Sequence, residues 1–405
     1  MSGPRLTLTR GTMGALIFGL VGFGIGQTVL FALLGPLARE IGLRAVQVGA
    51  VVTSSALVVV LVSPFWGRIS DRWGRRPTLA LGLAGYAVTT LLLVLVLHLG
   101  LTGAIGPMAA FLLMLGSRLL YAAMASAIQP SAAALVAEGT SAEGRTAGMA
   151  MVGGGFMLGT ILGPLLGAAL VSEGLLAPLL VTAGLALAGM LAVLLLVVPP
   201  PACSPQEARP PLRPTDRRLR SVLALGVLAL TSIAIIQQTL SFFVQDLLAL
   251  DAAAATRQVG LALAGFALVA LATQAVLARR DIAPGRLLRA GAVLLLAGFL
   301  GLAASRGLAG VVASCMMLGL GYGMTMPGLQ GAASLTVTTE EQGSAAGLLS
   351  AAMALGFVVG PLAGTALYQV MPRLPFMLGA ALCLVLALGA WLGGRRAAMP
   401  DVMPS

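Results

Sequence analysis

This chain of 405 residues is short of charge: Asp, Glu, Lys and Arg together make up 9% of it. A soluble domain carries about 25% charged residues, so a water-facing surface of this size cannot be built here. A compact soluble enzyme is excluded, and so is a disordered chain, because 59% of the residues are hydrophobic. Lysine is absent, and all 24 basic residues are arginine. The single histidine, His98, rules out a His-ligated metal cluster. Three cysteines make no disulfide framework: Cys315 and Cys383 lie in apolar runs and Cys203 in a Pro-rich stretch, all read as packing residues. The net charge of +11 is not interleaved with aromatic residues, so nucleic acid is not an expected partner.

The chain is rich in long apolar runs, with 53 glycines and a mean hydropathy of +1.01. About 20 apolar residues span the hydrocarbon of a bilayer. Twelve runs qualify: about 13–35, 46–66, 78–98, 107–131, 147–171, 175–198, 221–247, 257–278, 287–304, 308–335, 344–370 and 375–393. They must be helices, since lipid offers no partner to backbone N–H and C=O groups. Arg5 and Arg10 before the first run resemble the start of a signal peptide, but that run is too long for one and reads as a retained helix.

The arginines orient the protein, because short cytoplasmic loops concentrate them. With a cytoplasmic N-terminus, 18 arginines fall inside and 5 outside (Arg39, Arg44, Arg257, Arg306 and Arg373), with Arg118 inside a span. Both termini are therefore expected in the cytoplasm. Residues 199–220, with five arginines and several prolines, read as a cytoplasmic linker. It separates six-helix bundles at 1–198 and 221–396, and a tail follows at 397–405.

The halves repeat each other. Ile25-Gly26-Gln27-Thr28 and Phe31 match Ile236-Gln237-Gln238-Thr239 and Phe242 at an offset of 211. The same offset pairs Gln47-Val48-Gly49 with Gln258-Val259-Gly260, and Ala56-Leu57-Val58 with Ala267-Leu268-Val269. Gly159 to Pro164 is echoed by Gly356 to Pro361. Two parallel halves about an axis normal to the membrane form an architecture of transporters that alternate access.

Between the second and third spans stands Gly67-Arg68-Ile69-Ser70-Asp71-Arg72-Trp73-Gly74-Arg75-Arg76. It resembles the signature loop of the major facilitator superfamily, G-x-x-x-D-R-x-G-R-R, at every specified position. That resemblance implies an all-α membrane fold of 12 transmembrane helices in two pseudo-symmetric bundles. Asp71 can face a helix N-terminus and favour its positive end. The resemblance also implies a gating latch made by Gly67, Asp71, Arg72, Gly74, Arg75 and Arg76 that opens as the halves rock. Its acidic partner is expected to be Glu138, and Arg279-Arg280-Asp281 to Arg286 is a degenerate second copy.

Arg118 resembles the fourth-helix arginine of the family's drug/proton antiporter branch, tetracycline exporters included, which implies a part in proton coupling. A structural arginine bonded to carbonyls is the plainer reading, since a charge inside a span normally faces a partner or cavity. Gly155, Gly159, Gly163, Pro164 and Gly167 resemble the antiporter motif, repeated at Gly356, Gly360, Pro361 and Gly364; spacing by four also suits plain helix contact. Gln27 and Gln238 occupy equivalent positions on the first and seventh spans, which border the cavity in this fold, and read as substrate-binding amides or as an interhelical bond. Thr28, Arg118, Tyr121, Gln237, Tyr322 and Gln330 are further substrate-binding candidates; Thr239 and Gln129 are weaker ones. Met316, Met317, Met324 and Met326 make either an adaptable apolar wall or lipid-facing packing.

The first six spans hold no acidic residue, and Asp246 near the end of the seventh is either a proton site or a rim residue. A site with Arg118 and no central carboxylate suits neutral, zwitterionic or anionic cargo: a phenolic drug, a carboxylate metabolite or a siderophore-like chelate. The expected function is proton-coupled export of such a molecule, multidrug-type efflux included, by a monomer in a bacterial inner membrane. No cofactor or metal is expected beyond the proton motive force. An importer of a small nutrient and a non-transporting membrane sensor or scaffold remain the alternatives. No nucleophile–base set or phosphate loop points to an enzyme.

Overall fold

The computed structural model describes residues 9–140, 142–198, 212, 215–280, 282–338 and 341–396. Cys203, Arg5, Arg209, Arg213, Asp281 and the tail 397–405 lie outside them. The described residues form α-helices joined by short turns. In chain order these are α1 (Arg10–Glu40), α2 (Ala45–Trp73), α3 (Arg75–Leu101), α4 (Pro107–Ala125), α5 (Ile128–Gly139), α6 (Ala142–Leu170) and α7 (Ala177–Leu196). After the linker come α8 (Arg220–Leu248), α9 (Ala252–Leu277), α10 (Pro284–Ala304), α11 (Leu308–Leu335), α12 (Gln342–Val370) and α13 (Leu374–Arg396). Among the described residues, twelve helical stretches are long and apolar enough to cross a membrane, α4 and α5 together making one of them.

The helices overrun the apolar runs that announce them. α12 has 29 residues, about 44 Å of rise, which matches a bilayer with its headgroup layers rather than the hydrocarbon alone. Charged residues therefore mark the end of the hydrocarbon, while the helix continues into the headgroups.

Two places depart from the sequence reading. The fourth span, expected to run unbroken over 107–131, is interrupted at Ser126 and Ala127 and continues to Gly139. Pro130 is the cause: it has no N–H for the Ser126 carbonyl, and its ring crowds the preceding turn. α2 supplies replacement donors, Trp66 Nε1 to the Ala123 carbonyl at 2.5 Å and Ser63 Oγ to the Ser126 carbonyl at 3.5 Å. Such breaks survive in a membrane where a neighbouring helix re-satisfies the freed carbonyls. The second departure is the signature segment, which is helical rather than a loop. α2 runs to Trp73 and α3 starts at Arg75, so Gly74 alone forms the turn, at φ +96°. That conformation favours glycine.

The chain divides into two compact units, one of residues 1–208 with 251–260, the other of residues 209–250 with 261–405. In the first unit the core is built from Leu16, Leu20, Leu79, Leu83, Leu135 and neighbours, all nearly inaccessible. Its helix contacts are set by glycine. On α6, a Cβ at Gly159 would meet the Val21 carbonyl of α1, one at Gly163 would land on Thr28 Oγ1, and one at Gly155 would touch Ile17 at 3.4 Å. The second unit repeats this, with Gly356, Gly360 and Gly364 of α12 against Leu230, Thr231, Ala234 and Ile235 of α8. Gly167 is an exception to the expected contact stripe: nothing lies within 4 Å of its Cβ position, one turn past the contact.

These contacts predict opposite outcomes on one helix. Gly159→Leu should lower stability by about 2 kcal/mol or more through overpacking. Gly167→Ala should be neutral or stabilising by up to about 1 kcal/mol through helix propensity. Thermal unfolding of both variants in one detergent checks the pair.

Candidate functional site

In the first unit, Arg118 and Tyr121 of α4 are three residues apart and share a helix face. Arg118 is 8% exposed, and its guanidinium carbon lies 3.7 Å from the Tyr121 ring centroid, a cation–π arrangement. The Tyr121 hydroxyl donates to Gln27 Oε1 of α1. Its ring meets the Tyr86 ring of α3 edge-on at 5.6 Å, and Tyr86 meets Phe23 of α1 at 5.5 Å. The Tyr86 hydroxyl fills the space a Cβ at Gly26 would need, so the glycine before Gln27 is what admits the ring. Ser55 of α2 donates to the Arg118 backbone carbonyl at 3.3 Å.

Among the described residues no carboxylate pairs with Arg118, no carbonyl accepts from its side chain, and Nε has no partner. The plainer reading, an arginine bonded to carbonyls, is therefore not what this arrangement shows. A buried charge with no carboxylate beside it is expensive, and Nε is left as a donor without an acceptor among the described residues.

The second unit is built differently at the corresponding place. Gln238 of α8 is 2% exposed, and its Oε1, with those of Gln237 and Ser241 Oγ, has no partner among the described residues. Tyr322 of α11 packs its ring on Phe266 of α9 at 5.6 Å. Gln27 Oε1 thus accepts an interhelical bond, while the Oε1 of its repeat partner Gln238 has no partner among the described residues. Other candidates are placed elsewhere. The Thr28 hydroxyl is held by the Gly24 carbonyl at 3.2 Å and pressed on Gly163, and Thr239 bonds the Ile235 carbonyl at 2.7 Å, so both serve helix packing. Gln129 and Gln330 lie on exposed faces. Met316 and Met317 are more than two-fifths exposed on α11, and Met326 is buried. Asp246 is exposed two residues from the end of α8 and accepts the Tyr368 hydroxyl of α12, which places it at the helix end rather than at mid-span.

The signature residues converge around Arg75. It pairs with Asp71 at 2.5 Å across the Gly74 turn and with Glu138 at the end of α5 at 2.8 Å. Asp71 makes no capping hydrogen bond to α3, and its carboxylate takes the guanidinium of Arg75, the first residue of that helix. Arg76 donates to the Leu194 carbonyl of α7. Arg72 is exposed, and Gly67 is helical with open space around it. The triad Asp71–Arg75–Glu138 lies within one unit, so it braces α2, α3 and α5 of that unit.

Sequence reasoning missed a second cluster. Arg218, read there only as an orienting charge, donates to Glu341 through both NH groups at 2.9 and 3.0 Å, and pairs with Asp216 at 2.9 Å. The Leu212 N–H donates to Ser344 Oγ at 2.8 Å, so the linker's end is fastened to the start of α12. Hydrogen bonds from Arg218 hold the Asp216 and Glu341 carboxyls below their ordinary values, and these carboxylates hold Arg218 above its own. Tyr86, Tyr368 and Ser241 were also missed. The available signal was that all four tyrosines of the chain stand inside apolar runs, where a hydroxyl must find a partner.

A twelve-span helical chain in two units, with a buried arginine and a charged turn between α2 and α3, defines a polytopic transporter. The family model of the Major Facilitator Superfamily matches residues 16–256 and 227–402, and the chain belongs to that family. It is 28% identical to the tetracycline resistance protein, class C, of Escherichia coli, across 94% of this chain and 96% of that protein. Among solved structures it resembles a bacterial homologue of the human lysosomal transporter Spinster in an inward-facing, occupied conformation. There the TM-score is 0.75 at 14% identity, over 95% and 96% of the two chains. The human organic anion transporter MFSD10 matches with a TM-score of 0.66 at 21% identity, over 96% and 100%. The family comprises transporters of small molecules rather than enzymes.

Two outcomes follow from these geometries. Tyr121→Phe strands Gln27 and should cost about 1 kcal/mol, whereas Gln238→Leu removes an orphaned amide and should be neutral or stabilising; thermal unfolding of the two variants separates them. The Arg218 cluster stabilises only while Asp216 and Glu341 are ionised, so its contribution is complete above their ordinary values of 3.8 and 4.5 and is lost as pH falls through the lowered ones. The melting difference between wild type and Arg218→Gln should be constant from about pH 8 to 5, shrink below that, and shrink in about 1 M salt.

Proposed function

We propose that this protein exports a small organic molecule, neutral, zwitterionic or anionic, from a bacterial cytoplasm in exchange for protons, by alternating access. Both termini then face the cytoplasm, in accord with 18 arginines on that side against 5 on the other. The observation that carries the cargo class is Arg118: buried, stacked on Tyr121, and without a carboxylate partner among the described residues. Such a site repels cations and offers guanidinium N–H groups to a carboxylate or phenolate. The amide oxygens of Gln237 and Gln238, unpartnered among the described residues, add neutral hydrogen-bond acceptors. Export is supported by the likeness to a tetracycline resistance protein along most of the chain. An anionic cargo is supported by the likeness to a protein named as an organic anion transporter.

A guanidinium does not titrate in this range, so Arg118 positions charge and a second group carries the proton. We assign that role to Asp246, whose carboxylate is engaged by Tyr368. Metabolite profiling inside and outside deletion and overexpressing cells, followed by transport in proteoliposomes under an imposed pH gradient, tests the whole reading. Cells lacking the protein should retain the cargo, and Arg118→Gln should reduce gradient-driven transport at least tenfold. Cargo-dependent uptake with unchanged external profiles would overturn export. Undiminished transport by Arg118→Gln would remove that residue from the site. Asp246→Asn should abolish the dependence on the gradient while cargo still binds; unchanged dependence makes Asp246 a rim residue.

A further inference from the structure

On the second unit lies a groove whose chemistry cargo transport leaves unused. It has a volume of about 640 Å³ and runs along α10, lined by Arg286, Arg289, Val293 and Leu294, with Met324 of α11 and Trp391 of α13 beside them. Its wall is almost wholly apolar, and its only polar residues among those described are two arginines at one end. Arg286 and Arg289 stand in the first two turns of α10, and Val293 lies about 10 Å beyond Arg286 and about 6 Å beyond Arg289 along the helix axis. Arg289 is fixed: Nε donates to the Gly285 carbonyl at 3.0 Å, and its guanidinium carbon lies 5.1 Å from the Trp391 ring centroid. Arg286 is exposed, and among the described residues no carboxylate lines the groove. No side chain caps α10, so the positive end of the helix lies level with the two arginines. Trp391 is half-exposed near the end of α13, where indole rings favour the membrane interface.

We propose that this groove is a binding site for a phospholipid with an anionic headgroup. The phosphate sits on Arg286 and Arg289, and one acyl chain lies over Val293, Leu294 and Met324. Basic pockets between spans are suited to such headgroups. The apolar length of the groove has no use for a water-soluble anion. A second copy of this chain docked symmetrically on the groove would bring the same two arginines against themselves. The groove belongs to the second unit and Arg118 to the first, and the proposal is independent of the cargo and of the direction of transport.

The full-length protein is delipidated in neutral detergent and titrated with phosphatidylglycerol, phosphatidylcholine or inorganic phosphate, with bound lipid counted by native mass spectrometry. Wild type should retain one tightly held phosphatidylglycerol that phosphatidylcholine and inorganic phosphate do not displace. The double variant Arg286→Gln with Arg289→Gln should bind it about 30-fold more weakly, the effect of two interfacial cations, with an unchanged melting midpoint in neutral detergent. Arg306→Gln, on another turn, should bind as wild type. Unchanged retention in the double variant, equal retention of phosphatidylcholine, displacement by inorganic phosphate, or a protein dimer that the double variant separates would each overturn the proposal.

Discussion

Hydrocarbon supplies no hydrogen-bond partner, and most of the structure follows from that. Backbone groups are satisfied by running the chain as helix. Hydroxyls are satisfied by turning back onto their own helix, as Thr89, Thr231, Thr325 and Thr365 do to carbonyls four residues earlier. Where the helix fails, at Pro130, a neighbour must lend a donor, and Trp66 and Ser63 are there to do so. Because lipid is as apolar as leucine, attraction between helices cannot come from burying apolar surface. It comes from close approach, and glycine permits the approach.

Against that background the polar groups left unsatisfied are informative. The two halves share one packing scheme, glycine-bearing α6 on α1 and α12 on α8, but they spend their polar residues differently. In the first, Gln27 and Tyr121 satisfy each other and Gly26 makes room for Tyr86. In the second, the position of Gly26 is occupied by Gln237, and the side-chain oxygens of Gln237, Gln238 and Ser241 remain without partners among the described residues. The two halves share a scaffold and differ in their polar residues: the first sets aromatic rings around a cation, and the second leaves amide oxygens unpartnered among the described residues.

The spans, the duplication and the family were legible in the sequence because each rests on a pattern many residues long. The helix ends were not, since a charged residue reports the hydrocarbon boundary and a helix continues past it, as α1 does to Arg10 and Glu40. Pro130 leaves no trace in hydropathy. The pairing of Arg75 with Glu138 could be read because the signature supplies the arginine and the family resemblance supplies an acidic partner at Glu138. Arg218 and Glu341 are 123 residues apart, and neither stands in a motif. Gly167 continued the spacing of its neighbours and so looked like a contact, although the spacing says nothing about where the facing helix ends. Tyr86 was concealed for a related reason: its importance comes from a missing side chain on another helix.

The single residue between α2 and α3 has a mechanical consequence. A joint of one residue has almost no slack, about 3.8 Å between successive Cα atoms, so neither helix can slide along its axis without carrying the other. What remains is a change of angle about Gly74. The Asp71–Arg75 pair spans that joint as a strut, and Glu138 anchors the strut to α5. Three helix ends therefore move as one lever whose stiffness is set by charge, and neutralising a carboxylate softens the joint while leaving each helix intact.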